Sequence, residues 1–188
     1  AMAILAGDGL LTHAFRWIAD PRHAGNVPAD IRLRVCVELA LYAGPAGMVG
    51  GQAADIMGDV DGIEALEAIH RRKTGDLIVF CLRAGGLIGG ADERQIAALD
   101  EFGRKLGLAF QIQDDILDQI GDERKLGKKA GRDVKQDKLT YASALGLERC
   151  RELVVQLSGE AKAALSGAGL LRADKLHGLA DYMMNRDH

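Results

Sequence analysis

Asp114, Asp115 and Asp118 lie in the run Phe110-Gln111-Ile112-Gln113-Asp114-Asp115-Ile116-Leu117-Asp118. Asp114 and Asp118 are four residues apart, so a helix places them on one face a turn apart, with Asp115 beside them. Aspartate is a weak helix former and like charges at this spacing repel, so a helix built for stability alone would avoid the cluster. The neighbouring Leu106, Leu108, Ala109, Ile112, Ile116, Leu117 and Ile120 are apolar. They predict a largely buried helix whose carboxylates line an interior cleft. Hard oxygen donors in a cleft suit Mg2+, which keeps several waters and takes one or two carboxylates together with phosphate oxygens of a substrate.

A bare D-D-x-x-D is more often a solvated acidic patch than a metal site, and the residues after it shift that balance. From Glu123 to Lys138, seven basic residues (Arg124, Lys125, Lys128, Lys129, Arg132, Lys135, Lys138) stand against three acidic ones (Glu123, Asp133, Asp137). Carboxylates for a cation followed by ammonium groups for an anion are the arrangement that holds phosphate or diphosphate.

The run FQIQDDILDQIGDERKLGKKAGRDVKQDKLTY resembles the second aspartate-rich region of the trans-isoprenyl diphosphate synthases, the farnesyl and geranylgeranyl type of polyprenyl synthetase. Three earlier segments are similar to that family in the same order: AILAGDGLLTHAF at 3–15, GMVGGQAADI at 47–56 and IHRRKTGDLI at 69–78. On its own, the basic run Arg71-Arg72-Lys73 reads as a solvated helix face. The resemblance singles out Lys73 and Thr74 as ligands of an allylic diphosphate and gives Arg71 and Arg72 no such role. It also implies Asp114 as a direct metal ligand, with Asp115 and Asp118 as ligands or through-water partners. Lys73, Lys128 and Lys138 would neutralise diphosphate, Thr74 and Gln111 would hydrogen-bond near it, and Phe110 would line the hydrocarbon side. Asp114, Lys73 and Lys128 carry the catalytic expectation.

The implied reaction is head-to-tail condensation of an allylic diphosphate with isopentenyl diphosphate. The allylic bond ionises with Mg2+ assistance, the second alkene attacks, and released pyrophosphate accepts the proton. Such chemistry needs cations on the leaving group and a dry apolar cavity. The resemblance further implies an all-α bundle around a central cavity and a homodimer formed through helices like that at 3–19, while the lack of a membrane-span run and of a signal peptide gives the expectation of a cytoplasmic protein. The family's first aspartate-rich motif, the arginines after it and the amino-terminal isopentenyl diphosphate site have no counterpart here. The expectation is therefore a carboxy-terminal part of a longer synthase, inactive alone. Two other readings stand beside it: a non-catalytic partner subunit of a complete synthase, and a class I terpene cyclase, which the KTG and GQ segments fit less well.

The elements that position these residues are helical throughout. The chain has 188 residues, 48% of them hydrophobic and 4% aromatic, enough for one all-α domain over 1–188 with a sizeable core. A first helix is predicted over about 2–19, with Ile4, Leu5, Leu11, Ala14, Phe15 and Ile18 on its apolar face. Residues 20–30 read as a loop, and a second long helix runs through Leu33, Val37, Leu41 and Met48 toward Ile56. Gly44, Gly47, Gly50 and Gly51 within it point to close packing or a kink beside a pocket, with Gln52 and Asp55 turned inward. Further helices are predicted from Ile63 to the glycine pairs at 85–86 and 89–90, over 92–120 and over 133–158. A shorter helix then precedes one over 172–185.

Other chemistries are excluded. Net charge of −3 gives no reason for a nucleic-acid partner. No run approaches the roughly 18 to 20 uninterrupted apolar residues of a membrane span. Cys36, Cys81 and Cys150 are far apart and read as reduced, buried thiols, and the five histidines show no metal-ligand spacing. There is no G-x-G-x-x-G and no Walker-type phosphate loop.

Overall fold

The computed structural model describes residues 1–120 and 139–184, and every regular element among them is helical. Helix α1 covers Met2–Ala19, α2 Pro21–Ala24, α3 Ala29–Ala43, α4 Met48–Met57 and α5 Gly62–His70. A π-helical turn, Arg71–Gly75, leads without a break into α6, Asp76–Ile88. Helix α7 is Glu93–Ile120, followed by α8 Tyr141–Leu145, α9 Leu147–Leu165 and α10 Asp174–Met184.

The aspartate-bearing α7 is the axle of the fold. Its start is fixed by a reciprocal cap in which Gln95 N–H donates to Asp92 Oδ1 at 2.8 Å and Asp92 N–H donates to Gln95 Oε1 at 3.0 Å. Along its 28 residues, Ile96, Leu99, Phe102, Leu106, Ala109, Ile112 and Ile116 are buried, a stripe at three- and four-residue spacing. The first half of this stripe joins α3, α6, the end of α9 and α10 in one core cluster. The second half joins Leu66 of α5, Tyr141 and Ala142 of α8, and Cys150, Val154 and Leu157 of α9 in another.

Charge ties the first core's elements together. Arg83 of α6 donates to Glu38 of α3 from Nε at 2.9 Å and Nη2 at 2.8 Å, and from Nη1 to Asp100 of α7 at 3.2 Å. These hydrogen bonds, Arg83 foremost, hold the Glu38 carboxyl below its ordinary value despite burial. Helix α10 is fastened to α9 by the Lys162–Asp181 ion pair.

Several sequence expectations are corrected. The second long helix is two, interrupted at Gly44-Pro45-Ala46-Gly47, because Pro45 and the flanking glycines break the backbone ladder. By length and composition the run Ala29–Met57 could cross a membrane. The run is nevertheless interrupted, and the ion pairs of Glu38 and Asp55 to other helices tie its two halves into the bundle, while Leu33, Val37 and Leu41 stay exposed on its outer side. Gly85 and Gly86 lie inside α6, which ends at Ile88 with Gly89 as its cap. The helical region expected over 133–158 is α8 and α9, divided by Gly146 at φ +78°, and no further helix precedes α10 among the described residues. Residues 133–138 fall outside the described part. Cys81 is exposed and Cys36 half-buried, so of the three thiols Cys150 alone is buried.

Candidate functional site

The polar end of the site is built by missing side chains. A Cβ at Gly51 of α4 would stand 2.4 Å from the backbone N of Lys73, and one at Gly107 of α7 would stand 2.9 Å from Gly75 Cα. Gly51 and Gly107 thus let the α4 and α7 backbones close on the π-helical turn with no side chain between. A single wide turn inside a helix shifts the register of the residues beyond it, and such turns recur at functional sites. Here it carries Lys73 and Thr74.

Lys73 Nζ donates to Asp55 Oδ2 of α4 at 2.8 Å, and the Asp55 side chain is 8% exposed. The expectation that Asp55 turns inward is met, whereas Gln52 is exposed. From α7, Asp115 Oδ2 accepts the backbone N–H of Tyr141 at 2.7 Å. Tyr141 opens α8, whose first turn is locked by Ser143 N–H donating to Thr140 Oγ1 and Thr140 N–H donating to Ser143 Oγ. Burial, reinforced by Glu67 and Asp115, pushes the Tyr141 hydroxyl well above its ordinary value and keeps it protonated.

These pieces surround a polar cavity of about 340 Å³ lined by Asp55, His70, Lys73, Thr74, Phe110, Gln111, Asp114, Asp115, Asp118, Leu139 and Thr140. Lys73, Thr74, Phe110, Gln111 and the three motif aspartates, named from sequence, therefore meet in one place. Lys128 and Lys138 lie outside the described residues. His70 and Thr140 were not anticipated. His70 is buried and three residues before Lys73 on a continuous helical path, a spacing that puts both on one side.

An apolar cavity of about 590 Å³ adjoins the first, lined by Leu77, Ile78, Cys81, Leu82, Leu106, Leu179 and Met183. Lys73, Thr74 and Phe110 line both cavities and form the boundary between them. Phe110 is half-buried there, a boundary ring and not a core aromatic.

Among the described residues, no three acidic, histidine or cysteine side chains are grouped closely enough to hold a metal by themselves. Asp115 already spends one oxygen on Tyr141. Carboxylate oxygens and an ammonium group lining one cavity of about 340 Å³ fit a cation that completes its shell with water and phosphate oxygens, as Mg2+ does.

The family profile described as Polyprenyl synthetase matches residues 1–164. The chain belongs to the polyprenyl synthetase family. Among its relatives is the farnesyl diphosphate synthase of Geobacillus stearothermophilus, 52% identical over 154 residues, which cover 81% of this chain and 52% of that protein. The farnesyl diphosphate synthase of Bacillus subtilis is 44% identical over 190 residues, covering 100% of this chain and 64% of the relative. The crystal structure of geranylgeranyl pyrophosphate synthetase from Pyrococcus horikoshii superposes with a TM-score of 0.84 at 28% identity, covering 98% of this chain and 67% of that one. The chain thus spans between about half and two-thirds of the length of these polyprenyl synthetase relatives, and the all-α bundle is the family's fold.

Proposed function

We propose that this chain provides the allylic-substrate half of a trans-prenyltransferase that condenses an allylic diphosphate with isopentenyl diphosphate to a longer trans-polyprenyl diphosphate. One observation carries the reading: a polar cavity and an apolar cavity share a boundary made of Lys73, Thr74 and Phe110. That shape suits a molecule with an anionic head and a hydrocarbon tail.

Asp114 would hold Mg2+ directly, with Asp118 and the second oxygen of Asp115, whose first is anchored by Tyr141, as further ligands or through-water partners. When bound, the cation offsets charge on the departing diphosphate. The Lys73 ammonium lies at the head-to-tail boundary, where negative charge gathers on the leaving oxygen as the allylic bond breaks, and Thr74 and Gln111 donate hydrogen bonds beside it. Lys128 and Lys138 are proposed to neutralise the same group. Phe110 and the leucines beyond it exclude water from the allylic cation, so that the alkene of isopentenyl diphosphate, and not water, forms the new carbon–carbon bond.

Homodimerisation is proposed through α1 and α3. Ile4 and Leu5 of α1 are 70% and 61% exposed, and Leu33, Val37 and Leu41 make an exposed stripe at four-residue spacing along α3. Three free thiols suit a cytoplasmic setting. The test is turnover of the complete gene product with geranyl diphosphate, isopentenyl diphosphate and Mg2+. Elongated prenyl diphosphate, lost in Asp114→Ala, supports the proposal. Release of cyclised hydrocarbon, or no product from protein that binds both substrates, overturns it.

A further inference from the structure

The apolar cavity has an internal order along α6. Lys73 and Thr74 stand at its polar end, Leu77 and Ile78 come next, and Cys81 and Leu82 come last. Eight residues of helix carry the wall roughly 12 Å along its axis, the span of a few isoprene units. Cys81 and Leu82 are therefore the α6 residues that a tail meets farthest from its diphosphate.

Those two positions differ in what else they do. Leu82 Cδ1 lies 2.8 Å from where a Cβ on Gly103 would be, and the side chain packs on the first core. Its size is committed to holding α6 against α7. Cys81 belongs to neither core cluster and is open to the cavity. The protein around it nevertheless desolvates the thiol and pushes its pKa up, so it stays protonated and acts as a small apolar group. Among the α6 residues lining the deep end, Cys81 is the one whose volume can change without disturbing the helix packing.

We propose that Cys81 sets the depth of the tail cavity and thereby the longest hydrocarbon it accepts, a specificity role that rests on the prenyl diphosphate reading above. A larger side chain here shortens the cavity from within, and a smaller one deepens it.

Two measurements decide it. In turnover by the complete gene product, Cys81→Phe is expected to lower the share of the longest product by roughly tenfold or more, with shorter prenyl diphosphates accumulating. Cys81→Ala is expected to hold or lengthen the distribution, and Cys81→Leu gives the same reading as phenylalanine if that variant does not fold. An unchanged distribution in a folded, active bulky variant overturns the proposal. Independently of turnover, geranyl thiodiphosphate with Mg2+ is expected to slow maleimide alkylation of Cys81 roughly tenfold while leaving Cys36 unaffected, and inorganic diphosphate with Mg2+ is expected to have no effect. Absence of protection, or equal protection by inorganic diphosphate, also overturns it. A wild-type protein that makes no elongated product defeats the proposed reaction, and the alkylation result then decides alone whether Cys81 lies on the tail's path.

Discussion

Asp55 Oδ2 accepts a hydrogen bond from Lys73 Nζ at 2.8 Å, joining α4 to the π-helical turn where the polar and apolar cavities meet. The carboxylate holds the ammonium at the polar cavity, which both residues line, and keeps a long, flexible side chain in one place. The Lys73 side chain is 32% exposed, so it remains reachable by an anion from the cavity.

This pairing predicts a coupled effect. Lys73→Met removes the hydrogen bond between its ammonium and the largely buried Asp55 and is expected to cost about 2 kcal/mol, whereas Asp55→Asn with Lys73→Met recovers part of that loss. Urea denaturation of the two single variants and the double variant measures it. Strictly additive losses would show that the pair is not coupled.

Gly51→Ala tests the close approach that seats Lys73. The new Cβ would stand 2.4 Å from the Lys73 backbone nitrogen, and backbone on both sides cannot yield as a flexible side chain would. The expected loss is about 2–3 kcal/mol, with weakened diphosphate binding. Gly85→Ala, on the helical path that continues from Lys73 but with open space at its Cβ, is expected to be neutral or slightly stabilising in the same melt.

Ser143→Ala removes one arm of the cap that aims the Tyr141 N–H at Asp115. Stability should fall by about 1 kcal/mol. Because Asp115 then loses a rigid anchor, the Mg2+ concentration for half-maximal binding of a prenyl thiodiphosphate should rise, while saturating metal restores binding. A variant with altered stability and unchanged metal dependence would confine the cap to a structural role.

Legibility in the sequence depends on how local each feature's cause is. The end of α1 and the start of α7 were readable because the apolar spacing is long and those ends are marked, by Asp20 and Pro21 after α1 and by Asp92 and Gln95 in the case of α7. The meeting of Lys73, Thr74, Phe110, Gln111, Asp114, Asp115 and Asp118 was readable through motif resemblance. The division at Gly44–Gly47 was partly readable, its glycines pointing to close packing or a kink while the helical spacing from Leu41 to Met48 hid the full break, and that at Gly146 was not. The π-helical turn was invisible for a deeper reason: it rests on backbone contacts with Gly51 and Gly107, distant in sequence. His70 and Thr140 carried a weak signal, each lying two or three residues from a lysine already singled out.

The network around Glu38 gives a pH dependence. Its carboxyl is held below the ordinary 4.5 mainly by the hydrogen bonds from Arg83. A depressed folded value means the stabilisation is complete above the unfolded value and is lost as pH falls through the folded one. The urea midpoint should therefore drop on acidification below about pH 4.5. Glu38→Gln should be less stable at neutral pH, by on the order of 3 kcal/mol, and should show a shallower acid decline.

The central claim is that one amphipathic diphosphate spans both cavities with metal at its head. Calorimetric titration with geranyl thiodiphosphate, which binds without ionising, tests it most directly. With Mg2+ present, the predicted affinity is at least roughly tenfold tighter than for inorganic diphosphate or for geraniol, the added tail or head each contributing more than about 1.4 kcal/mol. That affinity should be lost when Mg2+ is removed or when Asp114 and Asp118 are both changed to Asn. Equal affinity for inorganic diphosphate and its prenyl derivative, or binding indifferent to Mg2+, would contradict it.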